Sequence, residues 1–162
     1  MNKKIYFPFL LILLFFLYNC AGYEPIFSPT STNFEIKNHS IEGDKSIGKN
    51  IYSKLNVLSK ANKNNPNKKS IKLSINASKD KTAFSKNSSG KILSYKITIN
   101  IKVNIIDETT NQNLLNKTFI NSQVYKVQDQ YSDTVVLENR TIETLIEQTY
   151  ETLLIQISEI VL

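Results

Sequence analysis

Residues Ile92 to Ile105 read ILSYKITINIKVNI and carry the clearest periodic pattern in the chain. From Leu93 onward every second side chain is apolar or aromatic, and the residues between are serine, lysine, threonine or asparagine. Successive side chains of a β-strand point to opposite faces of its sheet. The pattern therefore predicts a long strand with one buried and one solvated face. A shift of one residue would turn the whole apolar row to water.

Weaker strand patterns lie on both sides of this segment. Residues 71–76 (IKLSIN) alternate in the same way, and residues 33–41 (NFEIKNHSI) alternate weakly. Residues 114–127 (LLNKTFINSQVYKV) follow the turn DETTNQN and predict the return strand of a hairpin. Residues 78–91 (SKDKTAFSKNSSGK) are polar and charged, and their Ser89-Gly90 pair is a turn signal, so they predict a loop.

Two segments have helical spacing. Apolar residues recur at steps of four, four and three from Ile47 to Leu58, which predicts a helix over 45–60 with Asp44 as its N-cap. Gly48 costs up to about 1 kcal/mol against alanine in a helix, so we expect the first turn to fray. A second apolar stripe predicts a terminal helix over about 134–161; it comprises Ile142, Leu145, Ile146, Leu153, Ile157 and Ile160.

The predicted order is strand, helix, strand, strand, strand, helix. Two helices can cover only one face of a four-stranded sheet, which agrees with the polar row of the long strand. The prediction is an α+β two-layer sandwich, with a mostly antiparallel four-stranded sheet and two helices on one face. On the terminal helix, the acidic series Glu143, Glu147 and Glu151 is interpreted as a solvated flank, with a docking surface for a partner's cations as the alternative.

The amino terminus has the pattern of an export signal. An apolar run from Ile5 to Tyr18 follows Lys3 and Lys4. It is shorter than the roughly 20 residues that a membrane-spanning helix needs. Residues 1–19 are therefore predicted to be a signal peptide, with an uncleaved helical anchor as the alternative.

The only cysteine, Cys20, directly follows this signal. A signal peptide that ends at a cysteine is typical of bacterial lipoproteins, in which the thiol takes a diacylglycerol and the freed amine can take a third chain. One acyl chain holds a protein only marginally, whereas two or three anchor it. The lipobox reads Leu17-Tyr18-Asn19-Cys20, with a larger residue than usual before the cysteine. We predict a lipidated Cys20, a tether over 20–32 and one domain over 33–162; a buried or incidental thiol is the alternative.

The composition offers no catalytic constellation. His39 is the only histidine, and we expect it on the surface of the first strand. A lipidated Cys20 leaves no Cys/His set for zinc. No glycine-rich phosphate loop or nucleophile elbow is present, and Asp107-Glu108 is interpreted as turn chemistry. We predict no enzyme activity, no metal site and no cofactor beyond the covalent lipid.

The chain is basic, with a formal net charge of +6, which becomes +4 once Lys3 and Lys4 leave with the signal peptide. A basic protein can bind nucleic acid, but export and a lipid anchor argue against that partner. The anions of the envelope are phosphorylated lipids or lipopolysaccharide. The lysines are candidates for binding such anions; the alternative, for any single lysine, is a solvated loop position with no binding role.

The segment CAGYEPIF (20–27) places the cysteine, a glycine, an aromatic residue and a proline in close order. The segment SSGKILSYKITINIKVNIID (88–107) places a long alternating strand between Gly90 and Asp107. Together with Tyr125, Tyr131 and the element order, these features resemble the lipopolysaccharide-assembly lipoprotein family LptE. Some members of that family begin with a Cys-Gly-Phe-x-Pro-Leu-Tyr-like stretch. The arginines common in the family are absent here.

The resemblance implies an outer-membrane lipoprotein, anchored on the periplasmic side. It would plug the lumen of an LptD-like β-barrel, assist the folding of that barrel, and take part in lipopolysaccharide transport to the cell surface. Lipopolysaccharide phosphates would then meet Lys79, Lys81, Lys86 or Lys91. The alternative function is another envelope lipoprotein module, such as an accessory subunit of barrel assembly or of a lipid transporter.

Overall fold

A computed structural model describes residues 33–61 and 68–161. Within them the chain forms β1 (Phe34–Gly43), α1 (Lys45–Ala61), β2 (Lys69–Lys86), β3 (Ile92–Asp107), β4 (Asn113–Lys126) and α2 (Tyr131–Val161). The predicted signal peptide 1–19, Cys20 with its tether 20–32, and Leu162 at the end of the predicted domain lie outside the described residues. The predicted element order is confirmed.

The four strands form one sheet in the order β1-β2-β3-β4. β1 and β2 are parallel, and helix α1 connects them. β2, β3 and β4 are antiparallel neighbours joined by tight connections. The prediction of a mostly antiparallel sheet is therefore confirmed, and the long alternating strand β3 is a central strand with a partner on each side.

The core lies between one face of this sheet and the two helices. The alternating row of β3 faces it and is fully buried from Ile97 to Ile105. Ile71, Leu73, Ile75 and Ala77 continue the row on β2, and both helices contribute apolar residues to the same cluster. Each such side chain contributes about 1.5–3 kcal/mol when it leaves water. We call this helix-covered side of the sheet the inner face and the opposite side the outer face.

Helix α1 begins as the sequence predicts. The Asp44 side chain accepts hydrogen bonds from the backbone N–H groups of Ser46 at 3.0 Å and Ile47 at 3.2 Å. The expected fraying at Gly48 is not observed, because the helix is continuous from Lys45. Gly48 lies against β1, where an added Cβ would come within 2.5 Å of Ile41 Cγ2. The missing side chain allows the helix to approach the sheet closely.

The predicted loop over 78–91 is wrong for most of its length. β2 continues to Lys86, and its residues pair with β3 well past the end of β1, as in Lys79 with Ile99 and Lys81 with Ile97. Strand pairing uses backbone groups, so polar side chains are compatible with it where no helix covers the sheet. Leu93, predicted to be part of the buried row, is 46% exposed at this uncovered end.

The turn between β3 and β4 confirms the interpretation of Asp107. Its carboxylate accepts hydrogen bonds from the N–H groups of Thr109 at 2.8 Å and Thr110 at 3.0 Å. These bonds, led by the one from Thr110, hold the pKa of Asp107 below its ordinary value. Asn111 takes a positive φ of 56° and closes the turn, a conformation that asparagine tolerates better than most residues.

Candidate functional site

The outer face of the sheet is a broad surface that the described elements leave uncovered. Both helices pack on the inner face, so the outer rows of β2, β3 and β4 have no layer over them in the described ranges. Serine, threonine, asparagine and lysine dominate these rows; among them are Lys72, Ser74, Asn76, Lys96, Thr98, Asn100, Lys102, Asn116, Thr118 and Lys126. Asp80 and the exposed apolar residues Ile120 and Val124 lie in the same rows. β3 alone carries this polar row over 16 residues, about 50 Å at a strand's rise per residue.

Side chains on the outer face bond to one another near β1. Ser40 donates to Ser74 Oγ at 2.9 Å, and Asn76 Nδ2 donates to Glu42 at 3.3 Å. Asn38, in the middle of β1, donates through Nδ2 to Glu108, which directly follows β3. These bonds order the β1 side of the surface. Elsewhere on the outer face, Ser94 is buried and its hydroxyl lies 2.5 Å from that of Ser85.

Within residues 33–61 and 68–161, no carboxylate forms an ion pair with an outer-face lysine. Ion pairs in the described part of the chain engage Lys37, Lys54 and Lys81, none of them on the outer rows of β2 to β4. Lys96 and Lys126 are diagonal neighbours, because Lys126 pairs with Ser94. The alternation predicted a polar row, but only the sheet pairing shows which lysines it brings together.

The four lysines proposed as phosphate contacts do not converge on one site. Lys79 and Lys81 lie on the inner side of β2, and Lys81 contacts Glu138 of helix α2. Lys86 ends β2, and Lys91 follows the turn that leads to β3. Lys86 and Lys91 flank the turn at the tip of the β2–β3 hairpin, away from Lys79 and Lys81.

The hairpin tip is closed by hydrogen bonds between its backbone N–H groups and the Asn87 side chain. The Asn87 side chain accepts from the N–H groups of Ser89 at 3.1 Å and Lys91 at 2.9 Å. Gly90 takes a φ of +81°, which glycine adopts without strain. The turn thus presents two cations, Lys86 and Lys91, that form no ion pair with another described residue.

Lys81 is part of a polar cluster between the sheet and helix α2. Its ammonium group lies 2.5 Å from Glu138 Oε2 and 4.4 Å from the centre of the Tyr95 ring. Tyr125 donates its hydroxyl to the same carboxylate oxygen at 2.8 Å. This cluster fastens the amino-terminal part of α2 to the long hairpin.

The pKa values in this cluster follow from burial and pairing. Partial burial alone would lower the pKa of Lys81, but the bonds to Glu138 and Tyr125 outweigh it and raise that pKa. For Glu138, burial acts to raise the pKa, and the bonds from Lys81 and Tyr125 reverse this and lower it. Burial raises the pKa of Tyr125. Lys81 and Glu138 are therefore charged across the physiological range, and Lys81 is not a free cation.

Helix α2 has the opposite charge to strands β2, β3 and β4. It carries six carboxylates, Asp133, Glu138, Glu143, Glu147, Glu151 and Glu159, and Arg140 is its only cation. Of the acidic series on its flank, Glu147 pairs with Lys54 of α1. Glu143 and Glu151 are exposed, as a solvated flank requires.

His39, the only histidine of the chain, contacts an aromatic side chain. His39 stacks on Tyr52, with ring centroids 3.9 Å apart. No cluster of three histidine, cysteine or carboxylate side chains occurs in the part of the chain that the structure describes. Within the same residues, no helix has the length and apolar character that crossing a membrane requires.

The sequence matches no model of a known protein family and no curated protein. Its structure, however, is similar to solved structures of bacterial lipoproteins. Uncharacterized lipoprotein B from Nitrosomonas europaea aligns at 16% identity over 85% of this chain and 90% of its own, with a TM-score of 0.60. A minor lipoprotein from Acinetobacter baumannii aligns at 11% identity over 79% and 92%, with a TM-score of 0.56.

Rare lipoprotein B from Shewanella oneidensis aligns at 11% identity over 75% of this chain and 94% of its own, with a TM-score of 0.53. Identities this low establish a shared fold and nothing finer. The class that fold and surface define is an α+β two-layer domain, with one sheet face left uncovered by the described elements, of the kind carried by bacterial lipoproteins.

Proposed function

We propose that this chain is an outer-membrane lipoprotein that plugs an LptD-like β-barrel, assists its assembly, and takes part in lipopolysaccharide transport. The observation that carries the proposal is the bare, polar outer face of the sheet. A barrel lumen is polar, so a domain seated in one needs a rigid surface of hydroxyl, amide and ammonium groups. The shared fold with bacterial lipoproteins supports the proposal, and so does the position of Cys20 after an apolar leader.

The role needs no catalytic residue and no cofactor. Lipid on Cys20 would hold the domain on the periplasmic side of the membrane, and the tether 20–32 would set its reach. The domain would act by occupying space and by stabilising the barrel wall. Nucleic acid is not among the partners proposed.

The test is a pull-down from detergent-solubilised envelopes with a carboxy-terminal tag, combined with a photo-cross-linking residue at Thr118 or Lys102 on the outer face. We expect a large β-barrel at a near one-to-one ratio, cross-linked from the outer face, and a mass for the amino-terminal peptide that shows lipid on Cys20. The control is the same cross-linker at exposed Glu143 on α2, which should give the weaker barrel adduct.

Other outcomes separate the alternatives. A lipidated Cys20 without a barrel would contradict the plug and favour another envelope lipoprotein module, to be identified by what co-purifies. Retention of residues 1–19 with a bare thiol would contradict the lipoprotein assignment.

Direct contact with lipopolysaccharide phosphate is proposed for Lys86 and Lys91, with Lys79 further along β2. Lys81 is excluded from this set because Glu138 neutralises it. Replacing both Lys86 and Lys91 with Gln should weaken lipopolysaccharide binding in a salt-sensitive manner. The matched control, Lys72→Gln with Lys102→Gln, removes the same charge from the outer face. Equal losses in the two variants would contradict a specific phosphate site.

A further inference from the structure

The outer edge of β4 has no strand beside it in the described structure. β4 is the last strand in the sheet order, and its 14 residues contain no proline and no carboxylate. Proteins commonly protect such edges with outward-pointing charges or proline. Here Lys117 donates to Gln156 at 2.9 Å and lies 5.8 Å from the Phe119 ring centre. One of the two lysines of this strand is thus directed towards helix α2 rather than guarding the edge.

A groove runs along this edge. It has a volume of about 360 Å³ and is lined by Gln123 to Lys126 of β4, by Gln128, and by Leu137, Arg140, Thr141 and Thr144 of α2. Gln128 Nε2 donates to the Lys126 carbonyl at 3.3 Å, so a strand added here would replace that bond. Consecutive strand residues point to opposite faces. Four consecutive residues can line one groove only if it follows the strand's edge, where the backbone N–H and C=O groups are presented. We call it the β4–α2 groove.

The charge of the β4–α2 groove is positive. Arg140 is the only arginine of the chain, and among the described residues no carboxylate pairs with it. Lys126 lines the same groove, and no acidic residue does. Glu138, the acidic residue nearest to Arg140 in sequence, is bound to Lys81 and Tyr125 instead. A guanidinium binds a carboxylate with two parallel hydrogen bonds.

A second copy of β4 is a poor occupant of the β4–α2 groove. β4 contains two lysines and no carboxylate, so pairing it with itself would bring no acid to Arg140. The charge complementarity therefore favours a different strand with an acidic residue.

We propose that the β4–α2 groove binds an extended, acidic segment of a partner protein, which adds to β4 as a fifth strand and places an aspartate or glutamate on Arg140. Backbone hydrogen bonds to the edge would supply the affinity of such an added strand, and alternate side chains in the groove would supply its specificity. The proposal goes beyond the barrel plug, because it is argued from this groove alone.

The experiment uses the full lipidated chain in detergent micelles and fluorescent peptides of alternating Thr and Val. One peptide has a central Asp, and its matched control has Asn. Two further Asp peptides carry backbone N-methyl groups on alternate residues, one on the odd and one on the even positions. Fluorescence anisotropy measures binding, and hydrogen exchange measures the protection of the β4 amides.

We expect the Asp peptide to bind about tenfold more tightly than the Asn peptide, as a buried charge pair predicts, and to protect the β4 amides. One N-methylated peptide should bind and the other should not, because an added strand uses only one of its edges. Arg140→Gln should abolish the preference for Asp, whereas Lys102→Gln, an equal charge loss on the outer face, should retain it. Thr144→Trp should block the groove, and Thr118→Trp should not.

Three results would overturn the proposal. The first is equal binding of both N-methylated peptides. The second is an Asp preference that survives Arg140→Gln. The third is the absence of peptide binding to a folded chain. If that chain also forms dimers, and Thr144→Trp abolishes them, the groove binds a second copy of the chain instead.

Discussion

Gly48 lies where helix α1 comes closest to β1, and its effect on stability has two opposing parts. An alanine there would favour the helix by up to about 1 kcal/mol. It would also place a Cβ 2.5 Å from Ile41 Cγ2, and the branched isoleucine side chain has few rotamers with which to move away. Steric overlap in a packed interface costs about 1–3 kcal/mol, so the overlap outweighs the helix propensity.

Gly48→Ala should therefore lower the free energy of unfolding by about 1 kcal/mol or more, measured by urea denaturation. Ser53→Ala, at an exposed position of the same helix, serves as the control and should be neutral or slightly stabilising. In an Ile41→Ala background, Gly48→Ala should lose most of its cost. A stabilising Gly48→Ala in the native background would contradict the close approach of helix and strand.

A second prediction concerns Glu138. Its folded-state pKa lies below the ordinary 4.5, so its ionised form stabilises the fold above about pH 4.5, and this contribution is lost as the pH falls through the folded pKa. Because Lys81 is 36% exposed, we discount the pair for solvent and expect Glu138→Gln to cost about 1 kcal/mol or less at pH 7.

Unfolding measurements at several pH values check this. The difference between Glu138→Gln and the native chain should shrink towards zero in acid. Glu143→Gln makes the same change at an exposed, unpaired position and should have little effect at any pH. A difference for Glu138→Gln that stays constant in acid would show that the pair with Lys81 does not account for it.

At the scale of the element, β3 decides the architecture because both of its neighbours depend on its register. Ile101 faces Ala77 on one side and Phe119 on the other, and all three are buried. Asn100 lies on the other face and pairs with Ser78 and Ile120, the latter 66% exposed. Adjacent residues of one strand thus have opposite energetic roles.

Ile101→Ala should lower the free energy of unfolding by about 2–5 kcal/mol, as large-to-small changes in a fully buried position do. Asn100→Ala should change it by less than about 0.5 kcal/mol. Thermal or urea unfolding of the pair measures both. Comparable losses at the two positions would mean that the register of β3 differs from the one described.

At the scale of the whole molecule, the carboxylates concentrate in one element. Lysines dominate β2, β3 and β4, helix α1 carries four lysines and no carboxylate, and carboxylates dominate α2. α2 is attached to its basic neighbours at defined points, such as Lys81 with Glu138 and Lys54 with Glu147. The molecule therefore presents a basic outer sheet face and one acidic helix, α2, which would orient it towards a partner of complementary charge.

Cys20 links this domain to the membrane in our proposal, and its replacement tests the anchor alone. Cys20→Ser should release the protein into the soluble periplasmic fraction and abolish labelling with a clickable palmitate analogue. The unfolding midpoint of the domain should stay the same, because the described fold begins at residue 33. Continued membrane association of a Cys20→Ser chain without its barrel would show that the leader, not the lipid, is the anchor.

Local patterns were sufficient for the elements and for the buried face. The alternation of β3, the helical spacing of Ile47, Ile51 and Leu55, and the N-cap Asp44 each report the surroundings of a short segment, and all are confirmed. Periodicity works here because burial on one side of a strand or helix repeats with the geometry of that element.

Tertiary structure decided what depends on residues distant in sequence. The length of β2 past Ala77 comes from pairing with β3, which polar side chains do not reveal. The sequence predicts a Lys81 that is free to bind phosphate, but the structure pairs it with Glu138, which lies on another element. The β4–α2 groove exists only because the sheet order leaves β4 at an edge. Strand order, ion pairing and grooves are set by contacts between elements, and a local pattern carries no information about its partner.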